Sequence, residues 1–124
     1  WLLVLPSTLA AASGSNRLQK LQKLSASAPD KVIRFNTALY EEFTTAPAGE
    51  RDYALSVVLT ALKPEFNCAQ CRQFDGEYAK VAKQWHRSAK TETPTFFASL
   101  DFPVGQEVFR KLGLTTAPVL KLFQ

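Results

Sequence analysis

The chain has 124 residues, which suits one domain, and its 46% apolar and 21% charged residues exclude a disordered composition. The formal net charge is +4, but the cations are spread out, with Arg17, Lys20 and Lys23 in one stretch and Lys80, Lys83, Arg87 and Lys90 in another. Such spacing suits solvated helix faces and argues against a nucleic-acid partner.

The first residues, WLLVLPSTLAAASGS, join an apolar run to Ala10-Ala11-Ala12, a small-residue pattern of the kind signal peptidase cleaves. The run is too short to cross a bilayer. Residues 1–14 read as a secretory-signal remnant, the alternative being an apolar N-terminal segment packed on the domain; residues 15–124 read as the domain itself. Leu18, Leu21 and Leu24 then form one helical stripe, with Ser15 or Asn16 as its cap. KVIRFN, residues 31–36, predicts a strand, and Thr37 is expected to cap the short helix ALYEEF. After a loop, residues 53–62 (YALSVVLTAL) are nearly continuously apolar, as a central strand covered on both faces requires. Phe74, Tyr78, Val81, Ala82 and Trp85 follow at helical spacing. FFASLDF predicts a strand, GQEVFRKLGL a short helix starting at Gly105 and broken at Gly113, and the segment from Pro118 to Phe123 a last strand. The alternation of helix and strand argues for an α/β layer fold, with an edge strand and a closing helix expected beyond Gln124.

Both cysteines of the chain, Cys68 and Cys71, stand between the central strand and the long helix. Zinc needs four ligands; to the two thiols the chain adds His86, and a fourth would be a carboxylate such as Asp75 or come from a partner. A purely structural disulfide closes too small a loop to add much through chain entropy. Redox chemistry fits the position best, since a Cys-x-x-Cys that follows an apolar strand and opens a helix places its first thiol at the helix N-terminus. Unpaired N–H groups and the helix dipole stabilise a thiolate there, which assigns attack to Cys68 and resolution to Cys71. This reading needs no metal and no cofactor. Thr-Ala-Pro before the last strand occupies the place where thioredoxin folds keep a cis-proline facing the disulfide. Pro118 is therefore expected to be cis, presenting the Ala117 backbone to an extended peptide, with Phe66 taking apolar side chains.

Beyond the bare Cys-x-x-Cys, VVLTALKPEFNCAQCRQFDGEYAKVA and FFASLDFPVGQEVFRKLGLTTAPVLKLF resemble the luminal domain of the thioredoxin-like oxidoreductase (gamma) subunit family of eukaryotic oligosaccharyltransferase. The resemblance runs from about Val32 to Phe123. It implies a thioredoxin-like α/β fold, with a central mixed sheet flanked by helices, the Cys-x-x-Cys at a helix N-terminus and a cis-Pro loop opposite. It also implies a position on the luminal side of the endoplasmic reticulum membrane, with attachment through segments not present in this chain. Other subunits of the complex would be partners, and nascent secretory polypeptides, especially cysteine-containing ones, would be clients. In this family the subunit does not form the glycosidic bond. The resemblance implies that this chain holds substrate polypeptides by a transient mixed disulfide or in a groove, so that nearby acceptor sites stay accessible. A free oxidoreductase of the protein disulfide isomerase kind, or a peptide-binding module with a structural disulfide, are the alternatives. Thioredoxins carry a buried acid six residues before the first cysteine; Leu62 stands there, which favours slow exchange or capture over general reductase turnover.

Overall fold

Helices and strands alternate in the computed structural model, which describes residues 15–88 and 92–124, so the reading of residues 1–14 lies outside the described residues. Helix α1 (Asn16–Ser27) is capped by Ser15, whose Oγ accepts from the Leu18 N–H at 3.0 Å. Ser15 is itself held by Asp52, which accepts from its N–H and from its hydroxyl, each at 2.8 Å. Strand β1 (Val32–Phe35) leads to α2 (Thr37–Thr44). The cap of α2 is Asn36, not Thr37: Asn36 has the extended backbone a cap needs, and its Oδ1 accepts from the Leu39 N–H at 2.8 Å. The Thr37 hydroxyl instead donates to the Val104 carbonyl.

The apolar run forms β2 (Ala54–Thr60), followed by α3 (Ala69–Ser88) and β3 (Thr95–Asp101). Helix α4 (Phe102–Leu112) begins three residues before the expected Gly105, because Asp101 caps it and Pro103 fits its first turn. Gly105 instead lies at a kink inside α4, where an added Cβ would meet Leu100 Cγ at 2.5 Å, so its lack of a side chain lets the helix seat on β3. Gly113 ends α4 with φ 67°, and β4 (Val119–Phe123) follows.

The sheet order is β1-β3-β2-β4. β2 and β1 run parallel to β3, and β4 is antiparallel to β2. Because α3 crosses over between the parallel strands β2 and β3, it runs back against the direction of β2. Residues alternate between the two faces of the sheet. One face takes Leu55, Val57 and Leu59 into a large core with α1, α2 and α4, through Leu18, Leu21, Phe43, Val108 and Phe109. The other takes Val58 and Val32 into a smaller cluster with Tyr78 and Ala82 of α3.

Candidate functional site

Beyond Thr60 the chain leaves the sheet through Ala61, Leu62 and Lys63 into a 3-10 turn, Pro64–Phe66. Asn67 then adopts the left-handed conformation (φ 52°, ψ 42°), with its N–H donated to the Pro64 carbonyl at 2.9 Å. Asparagine tolerates this conformation better than most residues. The reversal delivers Cys68 to the head of α3.

Cys68 and Cys71 form a disulfide. The two sulfurs differ in access, since Cys71 is fully buried and Cys68 is half-buried at the rim of a cavity. The backbone N–H of Cys71 points at Cys68 Sγ at 3.1 Å. A donor so placed, together with the other free N–H groups of the first turn, stabilises negative charge on Cys68. Across the cavity, Cys68 Sγ lies 3.6 Å from the carbonyl oxygen of Ala117. The Ala117–Pro118 peptide bond is cis.

The cavity encloses about 400 Å³, and its apolar walls are Phe66, Phe102, Phe109 and Leu114. Phe66 packs edge-on to Phe102, with ring centroids 5.4 Å apart, and Phe102 packs the same way on Phe109 at 5.2 Å. Phe66 stays 37% exposed, so its ring is open to solvent at the cavity mouth. The structure thus gathers Phe66, Cys68 and Ala117 on one cavity, with Cys71 directly behind it. Pro118 lies next to it in the chain but lines an adjoining hollow with Gln70, Gln73, Phe74 and Glu77. His86, considered above as a zinc ligand, lies at the opposite end of α3, about 25 Å along the helix at ~1.5 Å per residue.

Three features of the site lie outside the sequence reading. Asp101 accepts from the N–H groups of Leu62 (2.9 Å) and Phe102 (3.1 Å), and so ties the exit of β2 to the start of α4. Its signal was present, an acidic residue just before Phe-Pro at a helix start. Tyr78 anchors α3 to the sheet: its hydroxyl bonds Ser56 Oγ (2.8 Å) and the carbonyls of Ser56 (3.0 Å) and Ala98 (3.1 Å). Burial pushes its pKa up to about 12, against the pull of these hydrogen bonds. The third is Thr60. Leu62, six residues before Cys68, lies past the end of β2 and is half-buried, whereas Thr60 ends the strand and is 2% exposed. The buried polar or charged residues among those described are Ser56, Thr60 and Ser99, none of them an acid.

A family model described as "OST3 / OST6 family, transporter family" matches residues 19–124. The oligosaccharyltransferase subunit MAGT1 of Gallus gallus, named as a dolichyl-diphosphooligosaccharide–protein glycosyltransferase subunit, is 38% identical over 87 residues, covering 70% of this chain and 26% of that protein. Subunit 3 of the same-named transferase from Saccharomyces cerevisiae is 31% identical over 125 residues, covering 93% of this chain and 34% of that protein. The chain therefore spans about a quarter to a third of the length of these curated relatives. Among solved structures, spinach chloroplast thioredoxin f superposes with a TM-score of 0.60 at 18% identity, covering 86% of this chain and 74% of its own. The first thioredoxin domain of mouse protein disulfide-isomerase A4 gives 0.55 at 20% identity, covering 77% and 60%. At such identities these likenesses show the fold, which is thioredoxin-like.

Proposed function

The chain belongs to the OST3 / OST6 family, and on that premise we propose that it is the luminal thiol–disulfide domain of an oligosaccharyltransferase subunit. Its task is to hold substrate polypeptides at the glycosylating complex on the luminal side of the endoplasmic reticulum membrane, with the other subunits as partners. Among the described residues no helix is long and apolar enough to cross a membrane, and we ascribe anchoring to sequence outside them.

The thiolate of a client cysteine attacks Cys68 Sγ of the disulfide. The Cys68–Cys71 bond breaks as the client–Cys68 bond forms, and Cys71 leaves as a thiolate that takes up a proton. The client is now tethered and cannot form its own disulfide, so its fold stays open around nearby acceptor sites. Return attack of the Cys71 thiolate on Cys68 Sγ releases the client thiol and restores the disulfide. Clients without a cysteine are held in the groove, with apolar side chains against Phe66, Phe102 and Leu114 and backbone hydrogen bonds at Ala117. Such recognition reads main chain and apolarity, so it accepts many sequences.

One observation carries the covalent reading: of the two bonded sulfurs, only that of Cys68 lies on the groove, and the Cys71 N–H is aimed at it. The test replaces Cys71 with Ser in cells making a secretory reporter that carries its own disulfide. The free Cys68 thiolate attacks that disulfide: the Cys68–reporter bond forms as the reporter's disulfide breaks and its other cysteine leaves as a thiolate, and no Cys71 remains to resolve the adduct. Non-reducing gels should show reporter adducts of the Cys71→Ser chain that disappear with reductant and are absent for Cys68→Ser. Equal adduct levels for the two variants would remove covalent capture.

A further inference from the structure

We propose that Thr60 is a positioning residue for the cysteine pair: its hydroxyl is the hydrogen-bond partner of Cys71 once the disulfide is reduced. The proposal rests on the redox reading of the site given above.

Thr60 Oγ is buried and makes no hydrogen bond to any other protein group. A hydroxyl taken out of water without a partner is destabilising, and threonine usually avoids it. The direction in which it is spent follows from the alternation of β2. Ser56 bonds Tyr78 of α3, and Val58 packs with Tyr78 and Ala82, so Thr60, next on the same face, also points to α3.

The helix places Cys71 at the same level. Cys71, Tyr78 and Ala82 stand seven and four residues apart, which puts them on one face of α3, and all three are buried. Tyr78 meets β2 at Ser56. From that point β2 climbs four residues to Thr60, about 13 Å at ~3.3 Å each, while α3, running the other way, goes back seven residues to Cys71, about 10 Å at ~1.5 Å each. The two paths end within about 3 Å of the same height between sheet and helix. The bonded Cys71 sulfur has no proton to give, and in the disulfide form it accepts none from the Thr60 hydroxyl either. After reduction it carries one, and the thiol can donate to Thr60 Oγ, or its thiolate can accept from the Thr60 hydroxyl. The orphan group of the disulfide form thus becomes a satisfied group of the dithiol form, and the hydroxyl favours reduction.

The reaction that reads this is exchange with glutathione. Two glutathione thiols supply two electrons and two protons, the Cys68–Cys71 bond breaks, the glutathione disulfide forms, and the protons end on Cys68 and Cys71. The 124-residue chain is equilibrated in glutathione buffers at neutral pH, quenched with acid, alkylated and weighed by mass spectrometry. Thr60→Val keeps the shape and removes the hydroxyl; it should move the equilibrium about tenfold toward the disulfide, the worth of one hydrogen bond, or about 30 mV for a two-electron couple. Thr60→Ser should stay within about twofold of the parent, since it keeps the donor and acceptor.

A second measurement isolates the bond itself. In a Cys68→Ser background Cys71 is the sole thiol, and its S–H stretching band should rise in frequency when Thr60→Val is added. If Thr60→Val matches the parent in the glutathione equilibrium, or Thr60→Ser shifts as far as Thr60→Val, or the S–H band does not move, Thr60 has no such role. Should Thr60→Val fail to fold, Thr60→Ala takes its place with the same expected directions. A parent chain that glutathione never reduces would sink the redox reading as well, which separates that failure from the failure of Thr60 alone.

Discussion

The two faces of the sheet are built on different principles. The face covered by α1, α2 and α4 is held by apolar mass: Phe43, fully buried, stacks on Phe35 at 5.9 Å and meets Tyr53 edge-on at 6.4 Å, with Leu21, Leu55, Leu59 and Leu100 around them. The face under α3 has four buried members in its cluster and leaves Val81 and Trp85 of the helix exposed. What fixes α3 there is a set of hydrogen bonds converging on the Tyr78 hydroxyl. The heavy face gives stability; the light face keeps a helix in register, and the head of that helix carries the disulfide. Under the proposed exchange, this separation confines a change of bonding at the disulfide to the lighter face.

Three experiments probe this contrast, in falling order of effect. Phe43→Ala should cost about 3–5 kcal/mol in urea unfolding, because it empties an aromatic position at the centre of the heavy face. A loss under ~1 kcal/mol would mean that the two faces do not differ as described. Tyr78→Phe should cost about 1–3 kcal/mol, since it removes one hydroxyl and leaves Ser56 Oγ buried without its partner. The loss should appear first as faster amide exchange in α3, with α1 and α2 unaffected. Tyr78 also carries an alkaline signature. Its folded pKa of about 12 lies above the unfolded value, so its contribution is complete below about pH 10 and is lost as pH rises through about 12. Tyr40 and Tyr53 are raised by burial as well, so Tyr78→Phe should make the alkaline loss shallower without abolishing it.

The smallest effect belongs to the rim. Partial burial pushes the Asp52 carboxyl upward, but the hydrogen bonds from Ser15 overcome this and hold it below the usual carboxylate range. Its folded pKa is thus the depressed one: its contribution is present above about pH 4 and fades as pH falls through the lower folded value. Asp52→Asn should cost less than about 1 kcal/mol at neutral pH, because the group is screened by solvent. The same change should remove part of the acid limb of a stability–pH curve, which urea titrations from neutral to acid pH would measure.

What the sequence disclosed follows from how local each signal is. Cys68, Cys71 and Pro118 sit in short patterns whose meaning depends on the neighbouring strand and helix, and α3 and β2 announce themselves by periodicity and by an unbroken apolar run. Ends are harder. Asn36 and Thr37 are both good caps, and only the backbone decides between them. Gly105 looks like a helix start but marks a close approach to Leu100. Contacts between distant segments left no local trace at all. The bond from Tyr78 to Ser56 spans 22 residues. Counting back six residues from Cys68 reaches Leu62, since counting ignores the 3-10 turn inserted after the strand; the buried polar position is Thr60.

Ala117, whose carbonyl faces Cys68, lies 49 residues further along the chain, and β4 behind it completes the sheet by pairing with β2. This separation orders events in time for a chain made from its N-terminus. At ~5–20 residues per second, both thiols precede the opposite wall of the groove by several seconds. During that interval the cysteines are an ordinary reactive pair on an unfinished sheet, and pairing of the last strand beside β2 converts them into one side of a cleft.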